Sequence, residues 1–378
     1  MLVLLGPRLG FLGGVEAHVF DLANGLRARG HRVGYVHVGG EGRDAARFAS
    51  GFDEVVNLAR AASLLRNANV IYGHKVGERE LMSVPSGKRV FVMIHDHDAT
   101  CVRRHRYLPV THSPCHRPPG AACVAHGCVV VRDRDRPAGV RLGDPFELAR
   151  STRRLAERAT IVVASRYMKR TIEQAGVEPG RVRIIHPVPR EWEEPTRPAP
   201  RLGRVAYFGQ VIRGKGVDLL VRAIARTTGL ELTIAGLGNA LPSVKALVKR
   251  LGLSNRVHFL GPLRPEQLVE AYDSARVVAV PSRWPEPFGM VGIEAMRRAR
   301  VVVGAMHGGI PEWLEHGETG YGFEPCDVGG LRNALLRAAF GSEYERLAES
   351  AQERARSGFG FARMVSEVER AMEGSDAS

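Results

Sequence analysis

No apolar run in this chain approaches the roughly 20 residues that a bilayer-spanning helix needs. The N-terminal stretch Met1-Leu2-Val3-Leu4-Leu5 stops at Gly6-Pro7, too short for a secretory h-region, so a cytoplasmic protein is expected. Cysteine is sparse, with five residues and no C-x2-C pair. Without a leader, those thiols are expected to be free or metal-bound rather than a disulfide framework. Lysine is the scarcest cation: only Lys75, Lys88, Lys169, Lys215, Lys245 and Lys249 stand among 54 basic residues, as a biased codon supply would produce. The net charge of +14 invites a nucleic-acid partner, but the charge is spread along the chain and no DNA- or RNA-reading motif accompanies it. A generally basic enzyme with no nucleic-acid ligand is expected, able to be drawn peripherally to anionic lipid at the inner face of a membrane.

The 378 residues, 44% hydrophobic and 25% charged, suffice for two globular domains. Short β-branched runs alternate with helix-length segments, the pattern of parallel sheets covered by helices. In the first half the strands read near Leu2–Leu5, Arg32–Val38, Val55–Leu58, Val70–Tyr72, Val90–Ile94, Ile161–Ala164 and Val182–Ile185. The second series reads Val205–Phe208, Leu232–Ala235, Val257–Leu260, Val277–Val280 and Val301–Gly304. Five prolines between His186 and Pro200 mark a linker. The expected division is therefore an N-terminal Rossmann-like domain over 1–188, a linker over 189–202, a C-terminal Rossmann-like domain over 203–357, and a terminal helix and tail over 358–378. Residues 98–144, rich in Arg, His, Pro and Cys, read as an insertion. Two such units bind ligands at the carboxyl ends of their strands, so a cleft between domains is expected.

Four segments carry chemistry. Gly6 to Gly14, followed by Val-Glu-Ala-His, is a glycine-containing turn before a helix, able to present backbone N–H groups to a diphosphate or serving only steric needs. Tyr207-Phe-Gly-Gln-Val-Ile-Arg-Gly-Lys215-Gly sets Arg213 and Lys215 at a strand end, where cations neutralise a leaving diphosphate or simply meet solvent. In Pro281-Ser-Arg-Trp-Pro-Glu286-Pro-Phe-Gly-Met-Val-Gly-Ile-Glu294, a helix is expected to begin near Phe288 or Gly289. Glu286 then suits sugar hydroxyls and Glu294 a ribose; the structural alternatives are a cap and a surface helix residue. Glu294 lies among Val291, Ile293, Ala295 and Met296, and a carboxylate there requires a partner. Lastly, Ala305-Met-His-Gly-Gly309-Ile-Pro followed by Gly317-Glu-Thr-Gly320 is a glycine loop suited to closing over a ligand.

In order and spacing these motifs resemble glycosyltransferase family 4, retaining enzymes of the α/β GT-B fold with two Rossmann-like domains and a C-terminal helix that crosses back to the first. The resemblance implies a sugar moved from a nucleoside-diphosphate sugar, UDP-, GDP- or another, to a glycan, lipid-linked or small-molecule acceptor, without a catalytic metal. It implies that Lys215 and Arg213 contact the diphosphate, Glu286 the donor sugar and Glu294 the ribose. Gly14, with Gly13, would offer amides to phosphate, and His95 would approach sugar or acceptor. Gln210, Phe288, Gly289, Met290 and Val291 complete the implied donor surface. The family has Arg where this chain has Gln210, and Asn-Gly-Val-Asp where it has His186-Pro-Val-Pro189.

Asp96-His97-Asp98 mimics the metal-binding Asp-x-Asp of another transferase fold, but in this architecture it reads as structural. Cys101, Cys115, Cys123 and Cys128, interspersed with His105, His112, His116 and His126, suit a structural zinc or else are free thiols or a conditional disulfide. The competing functions are a nucleotide-sugar epimerase or hydrolase of the same fold, and a basic, metal-stapled nucleic-acid-binding or scaffold protein.

Overall fold

In the computed structural model, the described residues are 1–111, 113–132, 139–190, 192, 198 and 201–374. Much of the expected linker, His112 of the Cys/His segment and the last four residues lie outside them. The chain forms two units. The first comprises Met1–Arg104, His116–Arg190 and Phe361–Ser378; the second comprises His105–Cys115 and Glu191–Gly360.

The first unit is built on β1 (Leu2–Gly6), β2 (Val33–His37), β3 (Glu54–Asn57), β4 (Val70–His74), β5 (Arg89–Ile94), β8 (Thr160–Val163) and β9 (Val182–Ile184), in the order β3-β2-β1-β4-β5-β8-β9. Every pairing is parallel. Runs such as Leu2-Val-Leu-Leu and Thr160-Ile-Val-Val are continuous rather than alternating because helices cover both faces of a parallel sheet. Each fully buried Val, Leu or Ile adds about 1.5–3 kcal/mol of transfer free energy. Between β5 and β8, the segment read as aperiodic holds a short helix, Ala121–Ala125, and an antiparallel hairpin of β6 (Val130–Arg132) and β7 (Val140–Leu142). Three-residue strands are too short to display a period, so the sequence could not announce them.

Side-chain caps set the boundaries of the following helices. Asp144 accepts from the Phe146 and Glu147 amides at 2.8 and 3.0 Å before Pro145–Arg158, with Pro145 in the first turn. Ser165 accepts from Met168 at 3.1 Å before Arg166–Gln174. The terminal helix, Phe361–Glu373, returns to the first unit and packs on the helix Gly14–Arg27. A Cβ at Gly25 would stand 2.8 Å from Val365, so only glycine admits that approach.

The second unit repeats the plan with β10 (Arg204–Phe208), β11 (Glu231–Ala235), β12 (Val257–Gly261), β13 (Val277–Val280), β14 (Val301–Ala305) and β15 (Gly320–Phe323). The parallel order is β12-β11-β10-β13-β14-β15. Its last strand was not expected. Gly320 ends the glycine loop read from the sequence, yet it pairs with Val302 and its extended backbone packs where a Cβ would lie 2.4 Å from the Val302 carbonyl.

Candidate functional site

In each unit the chain winds outward from a central strand and then returns to that strand's other side. The reversals fall between β1 and β4 and between β10 and β13, the crevices where doubly wound sheets bind ligands. The loops leaving β1, β10 and β13 hold Gly13 and Gly14, Lys215 and Glu286, residues singled out in the sequence, while His95 follows β5, the neighbour of β4.

In the second unit, Lys215 and Glu286 form one construction. The ammonium lies 2.8 and 2.9 Å from the two oxygens of Glu286, and 4.9 Å over the Trp284 ring. Glu286, only 3% exposed, also accepts from Ser282 and, at 3.0 Å, from the Trp284 indole N–H. Burial would raise its carboxyl, but the Lys215 charge and these hydrogen bonds outweigh that effect and hold it below its ordinary value. The carboxylate therefore stays ionised.

Two glycine motifs are explained by the same construction. Gly216 has φ +70°, and a Cβ there would lie 1.9 Å from the Pro281 carbonyl. Gly308, at φ +65°, passes so close to Glu286 that a Cβ would meet its backbone at 2.3 Å, while the Gly309 N–H donates to the Glu286 carbonyl at 2.7 Å. The loop expected to close over a ligand is thus packed on the backbone that carries Glu286. Arg213 and Gln210 are exposed near the same turn; the Arg213 carbonyl accepts from Arg283 at 3.1 Å, and Arg283 is forked onto Asp218 at 2.5 and 2.6 Å.

The following helix runs Met290–Arg297, entered through Gly289 at φ +91°. Met290 and Val291 are half-buried at its first turn. The Phe288 side chain is buried against Phe359, and its carbonyl accepts from the Trp313 indole at 2.7 Å. Its ring is structural, leaving the backbone as its route to a ligand. Half-buried Glu294 has the partner its surroundings require: the Tyr272 hydroxyl donates to it at 2.5 Å. Burial and then the nearby carboxylate raise the Tyr272 hydroxyl well above its ordinary value, so it remains the donor. Tyr272 is itself packed on Phe208 at 4.1 Å between centroids.

In the first unit, Gly14 opens its helix, and the Gly13 N–H donates to Glu16 at 3.0 Å. A phosphate at Gly13 would have to displace that carboxylate. Gly10 is steric: at φ +114° its Cβ would lie 2.8 Å from the Arg43 carbonyl. His95 is half-buried, with Nε2 3.0 Å from Nδ1 of His74. It lines a cavity of about 230 Å³ together with Lys75, Asp96, Asp98, Ser151 and Thr152. Lys75, held in left-handed backbone at φ +53°, pairs with Asp96 at 2.5 Å and Asp98 at 3.8 Å; Arg104 approaches Asp98 at 3.2 Å. Asp96 and Asp98 are thus engaged by cations of this chain. Tyr272, His74 and His18 were missed from the sequence, since their partners lie on other elements, and Ser282 and Trp284 because only the fold of their own loop turns them onto Glu286; Lys75, a rare lysine at a strand end, gave a signal.

The four clustered cysteines fall in both units. Cys115 belongs to the second unit whereas Cys101, Cys123 and Cys128 belong to the first, and none is in a disulfide. Among the described residues no three His, Cys, Asp or Glu side chains gather as a metal site would require. His112, which the sequence reading placed beside the four cysteines, lies outside the described residues.

Comparison with known proteins bears on the family and the fold. Residues 12–188 match the model of Glycosyltransferase Family 4, and residues 190–356 match that of Glycosyl transferases group 1. The chain is 40% identical over 136 residues to a D-inositol 3-phosphate glycosyltransferase of Mycolicibacterium smegmatis, covering 35% of this chain and 31% of that protein. A protein of the same name from Mycobacterium sp. (strain JLS) is 35% identical over 173 residues, 42% of this chain and 39% of its own. The matches thus span well under half of these relatives' length. Among solved structures, Anabaena HepE in complex with UDP and glucose superposes with a TM-score of 0.76 at 19% identity, over 99% of this chain and 100% of that one. Sucrose-phosphate synthase of Thermosynechococcus elongatus gives 0.72 at 17%, over 99% and 98%.

Two parallel Rossmann-like units, with an ion-paired carboxylate at the switch point of the second, define the GT-B class of fold. The chain belongs to glycosyltransferase family 4, its second half being of the group 1 type.

Proposed function

We propose that this protein is a retaining glycosyltransferase that moves a sugar from a nucleoside-diphosphate sugar to a hydroxyl of an acceptor. The observation that carries it is the Lys215–Glu286 pair, fixed under Trp284 and the Gly308-Gly309 backbone in a chain matched by glycosyltransferase models in both halves. A cation fixed beside a sugar-binding carboxylate suits a reaction whose leaving group is anionic. In the proposed reaction the bond from the anomeric carbon to the diphosphate breaks, and the bond to the acceptor oxygen forms on the same face. The acceptor's proton passes to the departing phosphate oxygen, while Lys215, with Arg213, receives the developing charge. Glu286 holds sugar hydroxyls, Glu294 the ribose, and no metal is needed for this chemistry.

We assign the acceptor to the first unit's cavity, where Ser151, Thr152 and the carboxylates of Asp96 and Asp98 suit a hydroxylated molecule. A UDP-sugar is the first donor to test, because HepE was solved with UDP and with UDP-glucose. The comparisons support neither an epimerase, a hydrolase nor a nucleic-acid binder. No described helix is long and apolar enough to cross a membrane, and the charge of +14 favours peripheral contact with anionic lipid.

The test is a thermal-unfolding screen against UDP-, GDP-, ADP- and dTDP-sugars, since a ligand that binds only the folded state raises its midpoint. One family of donors should stabilise the wild type and Asp98→Ala but leave Glu294→Ala unmoved. A midpoint that no nucleotide sugar shifts would sink the proposal.

A further inference from the structure

His74 closes β4 and His95 follows β5, on neighbouring parallel strands. Their rings lie 5.3 Å apart between centroids, with His74 Nδ1 3.0 Å from His95 Nε2. His18, from the helix Gly14–Arg27, meets both rings edge-on at 5.7 and 5.6 Å. Tyr72 covers His74 at 4.4 Å. His74 is completely buried, and its other nitrogen, Nε2, has no hydrogen-bond partner among the described residues.

Charge is excluded from this cluster. Burial lowers His18 to about 4 and pushes His74 and His95 well below their ordinary values, with further opposition from the other imidazoles and, for His95, from Lys75. Asp96, the nearest carboxylate in sequence, is engaged by Lys75 at 2.5 Å. Each neutral ring carries one N–H, and a 3.0 Å gap between two ring nitrogens accommodates one hydrogen. If His95 supplied it, the His74 N–H would sit on Nε2 as a buried donor without an acceptor. If His74 supplies it, Nε2 is left as an unpaired lone pair. Orphaned buried N–H groups are the rarer and costlier of the two.

We propose that His74 is a positioning residue that donates from Nδ1 to His95 Nε2 and so holds His95 as its Nδ1–H tautomer. His95 then meets substrate as a hydrogen-bond donor, not as a base. That consequence rests on the glycosyltransferase reading, whereas the tautomer does not. A donor suits a sugar or acceptor oxygen in the cavity that His95 lines, and leaves the acceptor's proton to the departing phosphate.

The test is long-range 1H–15N correlation on the ligand-free, full-length protein labelled at histidine nitrogens, with the His95 signals assigned by their loss in His95→Gln. Wild type should show His95 protonated at Nδ1, bare at Nε2, and unchanged between about pH 6 and 8. His74→Asn keeps an amide donor near the Nδ1 position and should preserve that pattern; His74→Leu should mix the tautomers. If His74→Leu does not fold, the wild-type and His74→Asn spectra decide alone. A wild-type His95 protonated at Nε2, or a pattern indifferent to a folded His74→Leu, overturns the proposal. Because no substrate is present, failure of the donor screen leaves this result standing. With a stabilising donor in hand, turnover in His74→Leu should fall by about tenfold or more at little-changed KM, and recover in His74→Asn.

Discussion

The Lys215 ammonium bridges both oxygens of Glu286 at 2.8 and 2.9 Å, joining the loop after β10 to the loop after β13. The lysine side chain is 24% exposed and the glutamate 4%, so the pair is dry on the carboxylate side and open on the cation side. Such an arrangement keeps the carboxylate ionised before any ligand arrives and leaves the cation facing where an anion can reach it.

Removing the cation strands a buried charge. Lys215→Ala should destabilise the fold by up to about 3–5 kcal/mol, and Glu286→Gln by less, because the amide oxygen still accepts from Ser282 and Trp284 and the cation left over is partly exposed. Urea unfolding of the two variants checks this ranking. Equal losses would mean that the pair contributes through packing alone.

Acid should erase the difference between wild type and Glu286→Gln. The folded carboxyl lies below its ordinary value of 4.5, so its stabilisation is present above that value and is lost as pH falls through the lowered one. The gap between their melting temperatures should be widest near neutrality and narrow below about pH 4.5. A constant gap across that range would contradict the assignment.

Asp98 should show the opposite sign. Burial first, and then the Asp96 charge, raise it to about 6, although Lys75 and Arg104 oppose the shift. A raised acid favours the fold below its unfolded value and ceases to do so as pH rises through about 6, the two aspartates titrating as a pair. Asp98→Asn should therefore melt higher than wild type at pH 8, and the advantage should vanish near pH 4.

Gly216 and Gly252 separate backbone strain from steric collision. Both hold left-handed backbone, at φ +70° and +67°, but a Cβ at Gly252 meets nothing within 4 Å whereas one at Gly216 meets the Pro281 carbonyl at 1.9 Å. Gly252→Ala should cost about 1–2 kcal/mol. Gly216→Ala should cost several times more and weaken nucleotide-sugar binding, because it displaces the strand end that leads to Glu286. Chemical denaturation alongside the donor screen reads both effects.

Tyr272 supports Glu294 without replacing its role. Tyr272→Phe removes one hydrogen bond, worth about 1–3 kcal/mol to a charged acceptor. Calorimetric titration with UDP should find affinity reduced in Tyr272→Phe and lost in Glu294→Ala. If the two variants bind UDP equally, Glu294 does not reach the ribose.

The sequence by itself determined the two α/β units, twelve of their strands and the order of the motifs, because buried parallel strands are written as continuous β-branched runs and tight turns as glycines. It also demanded a partner for Glu294, since a carboxylate among Val291, Ile293 and Met296 is costly alone. Only the tertiary structure decided that the partner is Tyr272, that Lys215 grips Glu286 across 71 positions, and that Gly308 and Gly309 pack on that carboxylate's backbone. It also divided the four cysteines between units and set His74 against His95, which spacing along the chain could not disclose. The reason is physical: periodicity records which side of its own strand or helix a residue faces, whereas a site is made where different strands end side by side. That adjacency follows from strand order, and strand order is fixed by packing.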